Sequence, residues 1–262
     1  MLSKNQIKFV NSLKLKKFRD EHNLFIAEGT KIVSELLQSK IKVKQVFATS
    51  IFLNSIKIDK SVEWFEVKAS ELDRMSVQVT ANEVLAVCEI PEYNFDYSEF
   101  ENKLTLVLDN IKDPGNLGTI IRIADWFGIE TIICSKETVD AFNPKVVQAT
   151  MGSIARIKLH YVNLSEFFDG FKKISSSPLS FPIYGALLEG SSIYSQPLSS
   201  NGFIVIGNES KGISESIIPF ITDKISIPSF SHTKAGGSEA ESLNAAIASS
   251  IICSEFRRRD HK

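Results

Sequence analysis

Long apolar runs are missing from this 262-residue chain, and none approaches the 18 residues of a membrane-spanning helix. The start, Met1-Leu2-Ser3-Lys4-Asn5-Gln6, lacks the apolar core of a secretory signal. Cysteine is scarce and scattered: Cys88, Cys134 and Cys253 form no CxxC pair, so neither a disulfide framework nor a zinc knuckle is expected. A reducing, cytoplasmic setting with buried thiols is the natural reading. The four histidines (His22, His160, His232, His261) show no HxxxH or HExxH spacing, and no metal site is expected. Glycine (13) and proline (8) are too few for a collagen-like or low-complexity chain. Neither sign of charge dominates: 30 Lys and Arg face 31 Asp and Glu, for a net charge of −1. With 43% hydrophobic residues, that balance excludes disorder as the dominant state. Two nucleotide signatures are absent as well. Ile206-Gly207-Asn208-Glu209-Ser210-Lys211-Gly212-Ile213-Ser214 has its lysine before the second glycine, which excludes a GxxxxGK[ST] phosphate loop. No GxGxxG is present, so a dinucleotide fold lacks its fingerprint.

What is present is alternation. At ~150 residues per domain the length suggests about two domains. In the first half, Gln6 to Phe18 has helical spacing, Leu24–Ala27 reads as a short strand, and Thr30–Leu37 as a helix capped by Thr30. Val43–Ala48, Val62–Val67 and Val84–Ile90 read as strands, with short helices at Phe52–Ile56 and Ala69–Met75. Residues 1–92 thus form a small mixed α/β domain. Residues 93–102 break the pattern with acids and aromatics and are assigned as a linker whose aromatics pack against something. Residues 103–262 alternate strongly. Strand-like runs at Leu104–Leu108, Thr131–Cys134, Ile157–Val162, Ile183–Leu188, Phe203–Ile206 and Lys224–Ile227 are separated mostly by helical segments, the last from about Glu241 to Phe256. Such alternation implies right-handed crossovers and a parallel sheet covered on both faces. Ligands of these sheets bind in the loops after the strands.

Three loops lie there. Asp109-Asn110-Ile111-Lys112-Asp113-Pro114-Gly115-Asn116-Leu117-Gly118 follows a strand; Pro114-Gly115 suits a tight turn and Asn116 suits a helix cap. Its helix carries an apolar stripe of Leu117, Ile120, Ile121 and Ala124, with Arg122 beside the stripe and Gly128 as the stop. The second loop is Gly207–Ser214, whose glycines permit close backbone approach. The third joins Ile227-Pro228 to Ser242-Leu243-Asn244, where Ser242 and Asn244 either cap the last helix or present a hydroxyl and an amide to a substrate.

Taken together and in this order, these segments resemble the SpoU family of RNA 2′-O-ribose methyltransferases, within the SPOUT superfamily. The opening from Asn5-Gln6-Ile7-Lys8 to Phe25-Ile26-Ala27-Glu28-Gly29 resembles that family's ribosomal-protein-like RNA-binding domain. The resemblance implies a C-terminal domain tied in a deep trefoil knot, S-adenosyl-L-methionine as cofactor, a homodimer and an RNA substrate, ribosomal RNA ahead of transfer RNA. It makes Arg122 the key arginine. An arginine stays charged, so bidentate capture of the target phosphate suits it better than proton abstraction. Asn116 and Ser242 would hydrogen-bond the acceptor or position Arg122, Asn244 would organise the pocket, and Glu209 would order its own loop. Leu187, Gly207, Ile227 and Leu243 would read the cofactor through backbone groups and apolar walls.

The ends of the chain are basic. Lys4, Lys8, Lys14, Lys16, Lys17 and Arg19 face one acid, Asp20, in the first twenty residues and are the candidate phosphate contacts. Arg257, Arg258, Arg259 and Lys262 read as a solvated helix face and a frayed tail. One departure from the family pattern is the long stretch Ser229–Glu241, an insertion near Ser231–Gly237, either a lid over the cofactor loop or a disturbance of it. It keeps open a second reading: a non-catalytic RNA-binding protein that retains the methyltransferase fold.

Overall fold

The computed structural model describes residues 2–57, 59–78, 82–174, 181–230 and 242–260. The insertion near Ser231–Gly237, with His232, Lys234 and the Gly236-Gly237 pair, lies outside the described residues, as do Glu241, His261 and Lys262. Contacts divide the chain into two units, Met1–Glu92 with Asp140–Arg156, and Tyr93–Val139 with Ile157–Lys262.

The first unit opens with α1 (Lys4–Ser12), α2 (Lys16–His22), β1 (Leu24–Glu28), α3 (Thr30–Leu37), β2 (Val43–Ala48), α4 (Ser50–Ser55), β3 (Glu63–Glu66), α5 (Ala69–Asp73) and β4 (Val84–Glu89). Its sheet runs β1-β4-β2-β3, with β4 antiparallel to both neighbours and β3 parallel to β2. The single helix expected from Gln6 to Phe18 is two. Leu13 closes α1, and Leu15 is extended. The carbonyls released at that break are taken up by Arg19, whose guanidinium donates to Leu13 O at 3.0 Å and Lys14 O at 2.9 Å. Thr30 is not the cap of α3. Gly29 holds that place at φ 101°, in the region that a side chain disfavours.

The second unit begins with β5 (Leu104–Leu108), α6 (Pro114–Trp126) and β6 (Thr131–Ser135). The chain then returns to the first unit for α7 (Pro144–Thr150) before resuming with β7 (Lys158–Val162), α8 (Leu164–Ile174), β8 (Ile183–Ser192), β9 (Gly202–Ile206), β10 (Asp223–Ser226) and α9 (Ala245–Asp260). All six strands are parallel, in the order β10-β8-β9-β5-β6-β7. Strands β5, β6 and β9 are buried at every position, including Thr105, Thr131 and Ser135, as a parallel sheet covered on both faces requires.

Aromatic rings fill one side of this sheet. Phe167, Phe168 and Phe171 of α8 meet Phe203 of β9 at centroid distances of 5.2, 5.7 and 4.9 Å. The linker aromatics join them: Tyr97 stacks on Phe167 at 5.7 Å, and Phe95 meets Tyr97 edge-on at 5.0 Å. Gly170 makes room, since a Cβ there would lie 2.2 Å from the Tyr97 hydroxyl.

The basic end of α9 is not a frayed tail through residue 259. Arg257 donates to Phe127 O (2.7 Å) and Gly128 O (3.1 Å), covering carbonyls left open at the end of α6. Arg259 donates to Gln196 O at 2.6 Å and Ile193 O at 2.8 Å. Buried Glu255 accepts from Arg258 at 2.7 Å and from Arg259 at 3.0 Å. The hydrogen bond from Arg258 leads in holding the Glu255 carboxyl down at about 2. The three cysteines are free and buried, and burial pushes their thiols up, which makes them inert.

Within the first unit, Arg19 also fastens Asp140, through Nη2 at 2.5 Å and Nε at 3.0 Å, with only 2% of its side chain exposed. Removing one partner from a buried pair leaves the other desolvated, at a cost of about 3 kcal/mol. Arg19→Ala should therefore destabilise this unit by about that much. Amide exchange over Lys145–Thr150 should accelerate while the β5–β9 ladder keeps its protection. Unchanged exchange in α7 would contradict the assigned role.

Candidate active site

Strands β5 and β9 are neighbours, with Leu108 opposite Ile206, and their following loops leave the sheet side by side. The two loops exchange hydrogen bonds. Asp109, buried at the end of β5, accepts from Ser214 N at 2.7 Å. In return Asn208 donates through Nδ2 to Asn110 O at 2.9 Å. The second loop is closed on itself by Asn208 N to Gly212 O (3.0 Å) and Gly212 N to Asn208 O (2.8 Å). Gly207 must be glycine here, because a Cβ would lie 2.3 Å from Gly212 C and Ile213 N.

Helix α6 starts three residues earlier than the Asn116 cap would require. Asp113 is the cap and accepts from Asn116 N at 2.7 Å, and Pro114 takes the first helical position rather than the centre of a turn. This correction matters because it frees the Asn116 side chain. Asn116 Nδ2 donates to Glu209 Oε1 at 2.5 Å, and Asn116 Oδ1 accepts from Asn244 Nδ2 at 2.8 Å. Asn244 in turn caps α9, its Oδ1 accepting from Ala246 N (2.9 Å) and Ile247 N (3.2 Å). That cap moves the start of α9 to Ala245, four residues beyond the expected Glu241. Ser242 Oγ donates to Glu209 O at 3.2 Å. All three loops thus converge on Glu209.

The polarity of this chain is forced. A carboxylate only accepts, so Asn116 turns its NH2 toward Glu209 and its oxygen toward Asn244. Arg122 lies six residues further along α6 than Asn116, exposed, and contacts none of these groups; its side chain has no hydrogen bond or ion pair among the described residues. It is thus a charged group free to meet an anion.

Of the expected cofactor residues, Leu187 lies within β8, Gly207 and Ile227 directly follow β9 and β10, and Leu243 precedes α9. Leu187 is two residues beyond Gly185, and Gly207 two beyond its partner Val205, so both lie past the end of the β8–β9 pairing. Ile227 follows β10 and is half-buried; Leu243 is 46% exposed. Between β8 and β10 the register skips from Gly185 to Ser191, which releases the backbone around Leu187 and Leu188 from the ladder.

In the first unit the six basic candidates separate. Lys4, Lys8, Lys16 and Lys17 are exposed, Lys16 in an i,i+4 pair with Asp20. Lys14 is turned inward, donating to Ser76 O at 2.8 Å, and burial holds its ammonium below the usual lysine range. Arg19 is withdrawn from the surface altogether. Those two serve the fold, a correction to the phosphate role expected of them. Sequence reasoning missed Asp113, although Asp before Pro is a helix-start signal. It also passed over Asp109 and Asn208, whose partners are backbone groups on another loop.

Comparison with known proteins supplies the decisive observation. The SpoU rRNA Methylase family profile matches residues 103–254, more than half of the chain, and the MRM3-like substrate binding domain profile matches residues 4–86. This chain belongs to the SpoU rRNA methylase family. Among its relatives, the 23S rRNA (guanosine(2553)-2′-O)-methyltransferase RlmP of Bacillus subtilis is 28% identical over 257 residues, covering 97% of both chains. A TrmH-family structure from Porphyromonas gingivalis is 38% identical, with a TM-score of 0.85 over 99% of each chain. The AdoMet-bound rRNA methyltransferase of Sinorhizobium meliloti is 27% identical, with a TM-score of 0.81 over 99% of this chain and 96% of that one. The methylase match covers the parallel sheet, and the substrate-binding match covers the α/β elements from α1 to β4.

Proposed function

We propose that the protein transfers a methyl group from S-adenosyl-L-methionine to a ribose 2′-hydroxyl of ribosomal RNA. The observation that carries this reading is the convergence of Asn116, Glu209, Ser242 and Asn244 at the carboxyl ends of β5 and β9, within a SpoU methylase domain. Family membership, RlmP as a full-length relative and the matching substrate-binding profile favour ribosomal over transfer RNA.

The bound cofactor supplies an electrophilic methyl on a sulfonium. The protein's task is then to align the acceptor oxygen: the O–CH3 bond would form as the S–CH3 bond breaks, S-adenosylhomocysteine would leave, and the hydroxyl proton would pass to the adjoining RNA phosphate or to solvent. Leu187, Gly207, Ile227 and Leu243 would hold the cofactor through backbone groups and apolar walls. Asn116 and Ser242 would hydrogen-bond the incoming ribose or position Arg122. Arg122, exposed and uncommitted, would grip the adjoining phosphate with its planar fork and so orient the hydroxyl. Exposed Lys4, Lys8, Lys16 and Lys17 would add salt-dependent contacts to the RNA backbone.

The active unit in this reading is a homodimer, its C-terminal segment tied in the knot of the superfamily. Trp126, 85% exposed at the end of α6, and Ile247, 53% exposed on α9, support this, because α6 and α9 pack together and present both residues to solvent in one chain. Three free, buried cysteines accord with a cytoplasmic setting.

Two outcomes are expected. Arg122→Ala should abolish methyl transfer to ribosomal RNA while S-adenosylhomocysteine still binds in calorimetry; loss of cofactor binding would refute the phosphate role. Trp126→Glu should convert a species with the mass of two 29.2 kDa chains into one, read by light scattering after size exclusion. A wild-type protein of single-chain mass would refute the dimer.

A further inference from the structure

Asn208 uses its whole hydrogen-bonding capacity. Its Nδ2 donates to Asn110 O at 2.9 Å and to Glu209 Oε2 at 3.4 Å. Its Oδ1 accepts from Ser210 N at 3.0 Å and Lys211 N at 3.1 Å. The first pair reaches outward, to the facing loop and to the Glu209 carboxylate. The second pair folds the local turn. Glu209 is therefore held on one oxygen by Asn116 and on the other by Asn208. An amide is the side chain that can do both jobs at this length, because it donates and accepts at once.

We infer that Asn208 is a positioning residue for methyl transfer: through Glu209 and the Asn110 carbonyl it sets the placement of Asn116, and through Asn116 that of Asn244. The role rests on the methyltransferase reading given above and adds a residue to it. Asn208 touches neither acceptor nor cofactor in this account. Its effect runs through the Glu209 carboxylate, whose second oxygen it holds while the first accepts from Asn116. The neighbouring bond between Asp109 and Ser214 N holds the two loops together independently, so loss of the Asn208 donors should loosen Glu209 without unfolding the loop.

Asn208→Asp separates the two jobs. It keeps an acceptor for Ser210 N and Lys211 N and removes both donors. It also sets a second carboxylate beside Glu209. The charged groups around the introduced carboxyl are Glu209 and Lys211 on its own loop, and Asp109, Lys112 and Asp113 on the facing one. At pH 8 the variant should keep wild-type melting behaviour and S-adenosylhomocysteine affinity within about threefold. Its kcat should fall about tenfold to a hundredfold, the size expected for a lost hydrogen bond to a charged group, with KM for RNA little changed. As the pH is lowered toward 5.5, the introduced carboxyl regains a proton that it can donate, so the ratio of variant to wild-type kcat should rise. A merely structural residue would show no such recovery. A wild-type kcat in N208D, or a constant ratio across pH, would overturn the proposal.

A second measurement needs no RNA. The Asn116 side-chain NH2 resonance should move in N208D and in Asn208→Ala, and stay in place in a Lys224→Ala control. An unmoved Asn116 resonance in both Asn208 variants would overturn the inference whatever the activity. Wild-type protein inactive on ribosomal RNA, with the Asn116 resonance still displaced in the variants, would count against the methyltransferase reading and leave the positioning role supported.

Discussion

The geometry of the site turns on the Glu209 carboxylate. Amide side chains can present either end to a neighbour, so a chain of asparagines has no intrinsic direction. A carboxylate accepts and cannot donate, and it gives the chain one. With Glu209 in place, Asn116 must offer its NH2 inward and its oxygen to Asn244. Asn244 is fixed from the other side, since its oxygen is committed to the first turn of α9. One acceptor-only group and one helix start thus define the orientation of every amide between them.

That arrangement is available because the sheet brings β5 and β9 together although nearly a hundred residues separate them. Parallel pairing puts their carboxyl ends at one edge, and the loops stitched there carry Asn116 and Glu209. The last helix then delivers Asn244, and its far end is secured by Arg257 on the carbonyls of Phe127 and Gly128. Helices α6 and α9 are thereby tied near both ends, by Asn116 with Asn244 at one and by Arg257 at the other. The site is a product of helix fastening as much as of loop sequence.

Much of this was legible in the sequence. Short, mostly apolar runs such as Leu104–Leu108 and Thr131–Cys134, alternating with helical segments, read as buried parallel strands, and they are. The motif resemblance named Asn116, Glu209, Ser242 and Asn244, and the fold brings those four together. Three kinds of fact were hidden. Arg19 looked like one more cation in a basic stretch, because its partner Asp140 lies 121 residues away. Arg257 and Arg259 bond to carbonyl oxygens, which every residue has, so nothing in the sequence marks them as clasps. The side chain of Asn116 was misjudged for a different reason: Asp113 competes for the cap, and the proline after it decides the contest.

The central claim is that the chemistry falls on ribose. Its most direct test is to incubate ribosomal RNA with the protein and isotopically labelled S-adenosyl-L-methionine, digest the RNA to nucleosides and identify the labelled product by mass spectrometry. The account predicts label in a 2′-O-methylated nucleoside. Label on a base, or no label in RNA while the cofactor binds, would contradict it.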